Sequence, residues 1–124
     1  MASKKVKDFF TVIKDEEHWE SFINEDNKKL SIVDAYMSFT GPTEMMFPTW
    51  KAIINVTEEW ENRMEFLLLD HDKVPVKIPG KSGFVASPKP RFFLIIQGEL
   101  KDEVVGMDIP DMQEKIARHI PMLQ

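Results

Sequence analysis

Apolar side chains along this chain fall into short blocks with two periodicities. Leu30–Met37 (L-S-I-V-D-A-Y-M) is a nearly continuous apolar run, broken by one acid, Asp34. Such a run predicts a strand buried on both faces, as at the centre of a layered α/β sheet. Met64–Leu69 and Arg91–Ile96 read the same way. Thr11–Lys14 (T-V-I-K) is β-branched and predicts a short first strand. Between these runs the spacing turns helical. Asp15 fits a helix N-cap with Glu16 and Glu17 in its first turn, and Trp19, Phe22 and Ile23 recur on one face, giving a helix that ends near Asn27. Gly41-Pro42 breaks the chain after the second strand. Met46, Trp50, Ile53, Ile54 and Trp60 then mark one helical face, and Pro48 within it predicts a kink. Gln97-Gly98 is a two-residue hairpin signal, with Leu100–Val105 as the returning strand. Asp108 or Asp111 caps a last helix whose stripe is Met112, Ile116 and Ile120. His71–Pro90 holds four of the eight prolines and reads as irregular, with room for no more than a short helix. The predicted order is β-α-β-α-β-loop-β-β-α. Residues 1–10 read as an N-terminal arm and residues 11–124 as one domain.

Composition narrows the chemistry. The 124 residues suit a single domain, and 43% hydrophobic content is enough for one core. The formal net charge of −5 argues against a nucleic-acid-binding face. No apolar run approaches the roughly 20 residues needed to span a bilayer, so no membrane partner is expected. No secretory, retention or prenylation signal is legible. There is no cysteine, which removes disulfides, thiolate nucleophiles and thiolate metal sites. His18, His71 and His119 show no metal-ligand spacing, so neither metal nor cofactor is expected.

Three short motifs carry little. Gly80-Lys81-Ser82 imitates the end of a phosphate-binding loop, but Pro75 stands where the first glycine belongs. Asp70-His71-Asp72 reads as a solvated loop, because three successive residues rarely converge on a metal. Asn55-Val56-Thr57 is a glycosylation sequon by pattern only, placed within a helix.

Phe39-Thr40-Gly41-Pro42-Thr43 resembles the Trp-Cys-Gly-Pro-Cys motif of thioredoxins, with both cysteines replaced by threonine. Asp34 lies six residues before Thr40, Pro48 five after Thr43, and Pro90 directly before a strand; Gly98 and Gly106 follow Pro90 by 8 and 16. Each position matches a thioredoxin landmark: the buried acid, the helix proline, the cis-proline, and two glycines. The resemblance covers about residues 11–120. It implies an α/β fold, a thioredoxin-like three-layer sandwich with a central mixed sheet, and a cis Lys89–Pro90 bond. Phe66 stands where thioredoxins place the lysine that partners the buried acid, so Asp34 should have a raised pKa. Disulfide exchange needs a thiolate, which threonine does not supply, and Thr40 lacks an evident base to act as a hydrolytic nucleophile. Asp34 then reads as a buried polar group satisfied by the threonine hydroxyls or water. No catalytic residue is assigned.

In thioredoxins an apolar groove beside the motif grips extended peptides. The resemblance assigns a partner-binding surface here to Phe39, Thr40, Gly41, Pro42, Met45, Lys89, Pro90 and Gly106. Residues 12–46 most resemble the thioredoxin-like light chains of axonemal outer-arm dynein, through Trp19, Ile32-Val33-Asp34-Ala35-Tyr36 and Gly41-Pro42. Those light chains bind the heavy-chain tail, and they usually keep the cysteine pair that this chain lacks. The implied role is a structural subunit of the outer arm for ciliary motility, with the heavy-chain tail and other outer-arm subunits as partners. The implied location is the cilium or flagellum axoneme, and the cytoplasm before assembly. Two alternatives are a redox-inactive thioredoxin-like adaptor of another cytosolic complex and a thioredoxin-fold peroxidase or transferase. The enzyme reading lacks both a cysteine and a cofactor site.

Overall fold

A computed structural model of the chain describes residues 9–122. Five strands form one mixed sheet: β1 (Phe10–Val12), β2 (Leu30–Tyr36), β3 (Met64–Asp70), β4 (Arg91–Ile96) and β5 (Glu99–Val105), in the order β1-β3-β2-β4-β5. β3 runs parallel to both β1 and β2; β4 is antiparallel to β2 and β5. The helices are α1 (Glu16–Phe22), α2 (Phe47–Val56), α3 (Trp60–Arg63) and α4 (Ile109–His119). Among the described residues no helix is long and apolar enough to cross a membrane.

Side-chain alternation along β2, β3 and β4 divides the core in two, which is why these strands read as continuous apolar runs. One layer joins Leu30, Ile32, Met64, Phe66, Phe92 and Leu94 to Trp50, Ile53 and Ile54 of α2 and to Met112 and Ile116 of α4. The other joins Val33, Ala35, Leu67, Leu69, Phe93 and Ile95 to Trp19 of α1 and to Val74, Val76 and Ile78. The expected three layers are thus present, but on the α1 side the covering layer is partly irregular chain. No helix forms between His71 and Pro90. Val74, Val76, Ile78 and Ala86 are buried from this segment one by one while Val85 stays exposed, and Phe84 adds an edge-to-face contact with Phe93 at 5.0 Å.

Several boundaries differ from the sequence reading. β1 begins at Phe10, whose ring meets Phe47 at a tilt and Phe66 edge-on, at 5.0 and 5.6 Å, so Phe10 packs against the core and is not part of an arm. Residues 1–8 of the predicted arm lie outside the described residues. The long helix expected across Met46–Trp60 is three pieces. A 3₁₀ turn spans Glu44–Met46, α2 follows, and Glu59 adopts a left-handed conformation (φ 51°) before α3. Pro48 therefore sits in the first turn of α2 and causes no mid-helix kink, since the first-turn amides have no helical acceptor to lose. Trp60 rejoins the same core layer through Phe66 at 6.1 Å. α1 stops at Phe22, and Asn27 closes the turn behind it by donating to Phe22 O (2.6 Å) and Glu65 Oε2 (2.7 Å).

The β4–β5 hairpin forms at Gln97-Gly98, with positive φ at both residues (52° and 75°), as a two-residue turn of this hand requires. A side chain on Gly98 would lie 3.4 Å from the Asn24 backbone, so the turn packs tightly on the α1–β2 loop. Asp108 is the N-cap of α4 and accepts from the Asp111 amide at 3.0 Å. α4 is tied to β5 by Asp102, which accepts from His119 at 3.0 Å and pairs with Lys115 and Arg118.

Candidate functional site

The carboxyl end of β2 leads into the Thr40–Thr43 segment through a turn closed by Met37 O, which accepts from the Thr40 and Gly41 amides, both at 3.0 Å. Gly41 has φ +69°, and a Cβ there would meet nothing, so the conformation rather than space calls for glycine. Pro42 and Thr43 then feed the 3₁₀ turn, with Met46 N donating to Thr43 O at 3.0 Å.

The two threonines do different things. Thr43 is turned inward: its amide donates to Asp34 Oδ2 at 2.8 Å and its hydroxyl to Asp34 Oδ1 at 3.4 Å. Thr40 is exposed, and its hydroxyl is directed at backbone oxygens, Met37 O at 3.1 Å and Gly41 O at 3.3 Å. No side-chain base hydrogen-bonds to Thr40 among the described residues, so the requirement for an activated hydroxyl nucleophile is not met.

Asp34 is 4% exposed, and no salt bridge reaches it among the described residues. Burial pushes its pKa from 3.8 to about 6, against the two Thr43 bonds, which favour the charged form. The raised pKa expected from a carboxyl without a cation is therefore present. Phe66, opposite Ile32 in the β2–β3 register, supplies an aromatic ring where that cation was looked for. Tyr36, at the end of β2, is also shifted upward, first by burial and then by the charges of Asp70 and Asp34.

A cavity of about 230 Å³ opens over this carboxyl. Five of the eight residues assigned to the groove line it: Thr40, Gly41, Pro42, Met45 and Pro90. Lys89 and Gly106 flank it. The Gly106 amide donates to Pro90 O at 2.8 Å, and the Lys89 stem passes beside Gly106. Phe39 does not line the cavity; it stands in solvent at 88% exposure, with Met45 at 77% on the cavity rim. The Lys89–Pro90 bond is trans, which corrects the expected cis bond: no described peptide bond is cis. Trans is the intrinsically favoured isomer of X-Pro, and Pro90 reaches the cavity in that form.

Sequence reasoning missed Ser87 and Pro88 in the cavity wall. Only their closeness to Pro90 hinted at them. Asp70-His71-Asp72 leads from β3 into a turn with Asp72 exposed, and it also ties the ends of β2 and β3 together. Ser38 Oγ donates to the Asp70 carboxylate at 2.6–2.7 Å, Ser38 N to Asp72 at 2.9 Å, and His71 N to Tyr36 O at 2.8 Å. No group of three acidic, histidine or cysteine residues suited to a metal occurs among the described residues. A larger groove of about 600 Å³ lies between α2 and α4, lined by Ala52, Val56, Ile116, Ala117 and Ile120 among others, and it carries none of the predicted site residues.

No protein-family model matches the chain. It is 26% identical over 117 residues to the human thioredoxin domain-containing protein 3, a match covering 94% of this chain and 19% of that protein, so it spans about a fifth of that relative's length. It is 29% identical over 108 residues to thioredoxin H4-1 of Oryza sativa subsp. japonica, covering 86% of this chain and 77% of the relative. The structure of the reduced thioredoxin pre-protein of Schistosoma mansoni superposes with a TM-score of 0.66 at 25% identity, covering 90% of this chain and 98% of the other. The chain has the thioredoxin fold, and its sequence is similar to those of thioredoxins.

Proposed function

We propose that this protein is a non-catalytic thioredoxin-like light chain of an axonemal outer-arm dynein, binding the heavy-chain tail as a structural subunit. The observation that carries the non-catalytic half is the use of Thr43. Its amide and hydroxyl are both spent on Asp34, so the buried acid serves the turn and not a reacting sulfur. What is left at the surface is a mixed rim around a small cavity, with apolar Pro42, Met45, Pro88 and Pro90 beside polar Thr40, Glu44 and Ser87, and Phe39 exposed. Such a rim suits an extended peptide partner. The dynein half is supported by the Trp19, Ile32–Tyr36 and Gly41-Pro42 pattern.

A second reading, a redox-inactive adaptor of another cytosolic complex, is favoured by the match to a domain occupying 19% of a longer human protein. Affinity purification from ciliated cells separates the two. Enrichment of an outer-arm heavy chain, lost in cells lacking outer arms, is the expected result. Enrichment of a different complex without heavy chain contradicts the dynein assignment and favours the adaptor. In the dithiothreitol-driven insulin reduction assay the protein is expected to match the no-protein rate, since it has no thiol to cycle. Turnover above that rate would overturn the non-catalytic reading.

A further inference from the structure

Ser87-Pro88 is the only Ser-Pro or Thr-Pro pair in the sequence. A kinase pocket that offers no acceptor for the amide of the following residue selects proline, which has no amide to leave unsatisfied. Such an enzyme also needs its substrate segment exposed and free of competing backbone bonds. Residues 84–89 lie outside every strand and helix, and no hydrogen bond involves them among the described residues. Ser87, Pro88 and Lys89 are all exposed. The segment is nevertheless held at both ends. Phe84 packs on His71 and Phe93 at 5.1 and 5.0 Å, and Pro90 O accepts from the Gly106 amide at 2.8 Å. It is therefore displayed at a fixed place, on the wall of the 230 Å³ cavity.

We propose that Ser87 is a phosphorylation site for a proline-directed protein kinase, and that phosphate there closes the groove to its partner. In the transfer, Ser87 Oγ attacks the γ-phosphorus of ATP. The new O–P bond forms as the bond to ADP breaks, the hydroxyl proton passes to the kinase's base, and ADP leaves with the bonding electrons. The product places a charge of about −1.5 to −2 at pH 7 in the wall of a cavity lined by Pro42, Met45 and Pro90 and already holding the carboxyl groups of Asp34 and Glu44. Lys89, two residues on, has no ion pair among the described residues and is the nearest cation in sequence to receive it. An apolar peptide segment entering the groove would have to desolvate that anion. The gating half rests on the partner groove proposed above; the modification itself does not.

The test treats the whole folded chain with a purified proline-directed kinase and ATP, and reads the products by intact and peptide mass spectrometry. One phosphoryl group at Ser87 is expected, absent in Ser87→Ala and reduced at least about tenfold in rate in Pro88→Ala, roughly the worth of one unsatisfied amide. No incorporation into the folded protein, while a peptide of residues 82–94 is modified, overturns the proposal, as does incorporation that persists in Ser87→Ala. The phosphorylated protein is then titrated against the heavy-chain tail fragment. Binding weakened by about tenfold or more supports gating, and unchanged binding overturns that half while leaving the site assignment standing.

Discussion

Asp34→Asn stabilises the protein at neutral pH, and the gain depends on pH in a defined direction. The folded-state pKa is raised to about 6 from 3.8, chiefly by burial. The folded protein thus holds a proton that the unfolded chain has released. The favourable contribution of Asp34 is fully present below about pH 3.8 and is lost as pH rises through 6. The gap corresponds to on the order of 3 kcal/mol. An asparagine keeps an acceptor for the Thr43 amide and carries no charge to desolvate. Urea unfolding of both proteins between pH 4 and 8 measures it. The stability difference should be near zero at the acid end and reach its full value above pH 6. A difference that stays constant across the range would show that Asp34 is not protonated in the fold as described. Asp102 acts in the opposite sense. Burial pushes it up, but the His119 bond, the Glu103 amide and Lys115 together hold it below the ordinary value. Its contribution is lost as pH falls, and taking the difference between the two proteins cancels it.

Trp50→Ala removes one of the two buried tryptophans of the core and should cost about 3–5 kcal/mol, the range for deleting a buried aromatic. Trp50 is 1% exposed and lies between Phe66 and Phe92, at ring distances of 5.3 and 5.6 Å. It ties α2 to both β3 and β4. Small domains are stable by only about 5–15 kcal/mol, so this change takes a large share of the whole. The urea midpoint should fall with the slope m unchanged. Phe39→Ala is the matched control. At 88% exposure Phe39 contributes almost nothing to the fold, and its loss should stay within about 0.5 kcal/mol. A loss below about 1 kcal/mol for Trp50→Ala would mean that α2 is not packed on the sheet in this way.

The central strands were legible because residues buried on both faces leave an unbroken apolar run, as in β2, β3 and β4. The helical spacings between them gave the element order, and the resemblance to thioredoxins implied the three layers. The end of α2 was not legible. Apolar residues keep helical spacing from Ile53 to Trp60, yet Glu59 turns left-handed and starts a new helix. Periodicity reports which side chains are buried, not whether the backbone between them is continuous. The same limit hid Val74, Val76 and Ile78, which are buried from irregular chain that has no period to read. Phe10 was assigned to an arm because a three-residue edge strand is too short to show alternation. At the candidate site, Asp34, Gly41 and Pro42 were legible through the resemblance to the thioredoxin motif and its landmarks. The partition of the two threonines was not, because it depends on which hydroxyl faces Asp34 across the turn. Ser87 and Pro88 join the cavity only through the path of the loop before Pro90.

The groove assignment predicts one quantity most directly: the affinity of this chain for a dynein heavy-chain tail fragment, measured by calorimetry for the native protein and for Phe39→Ala combined with Met45→Ser. Both side chains are exposed, at 88% and 77%, so the double variant should keep its circular dichroism spectrum and its unfolding midpoint. The predicted result is saturable binding by the native chain and a loss of about tenfold or more in the variant, equivalent to about 1.4 kcal/mol. Native binding that survives both substitutions unchanged, or no binding by the native chain, would contradict it.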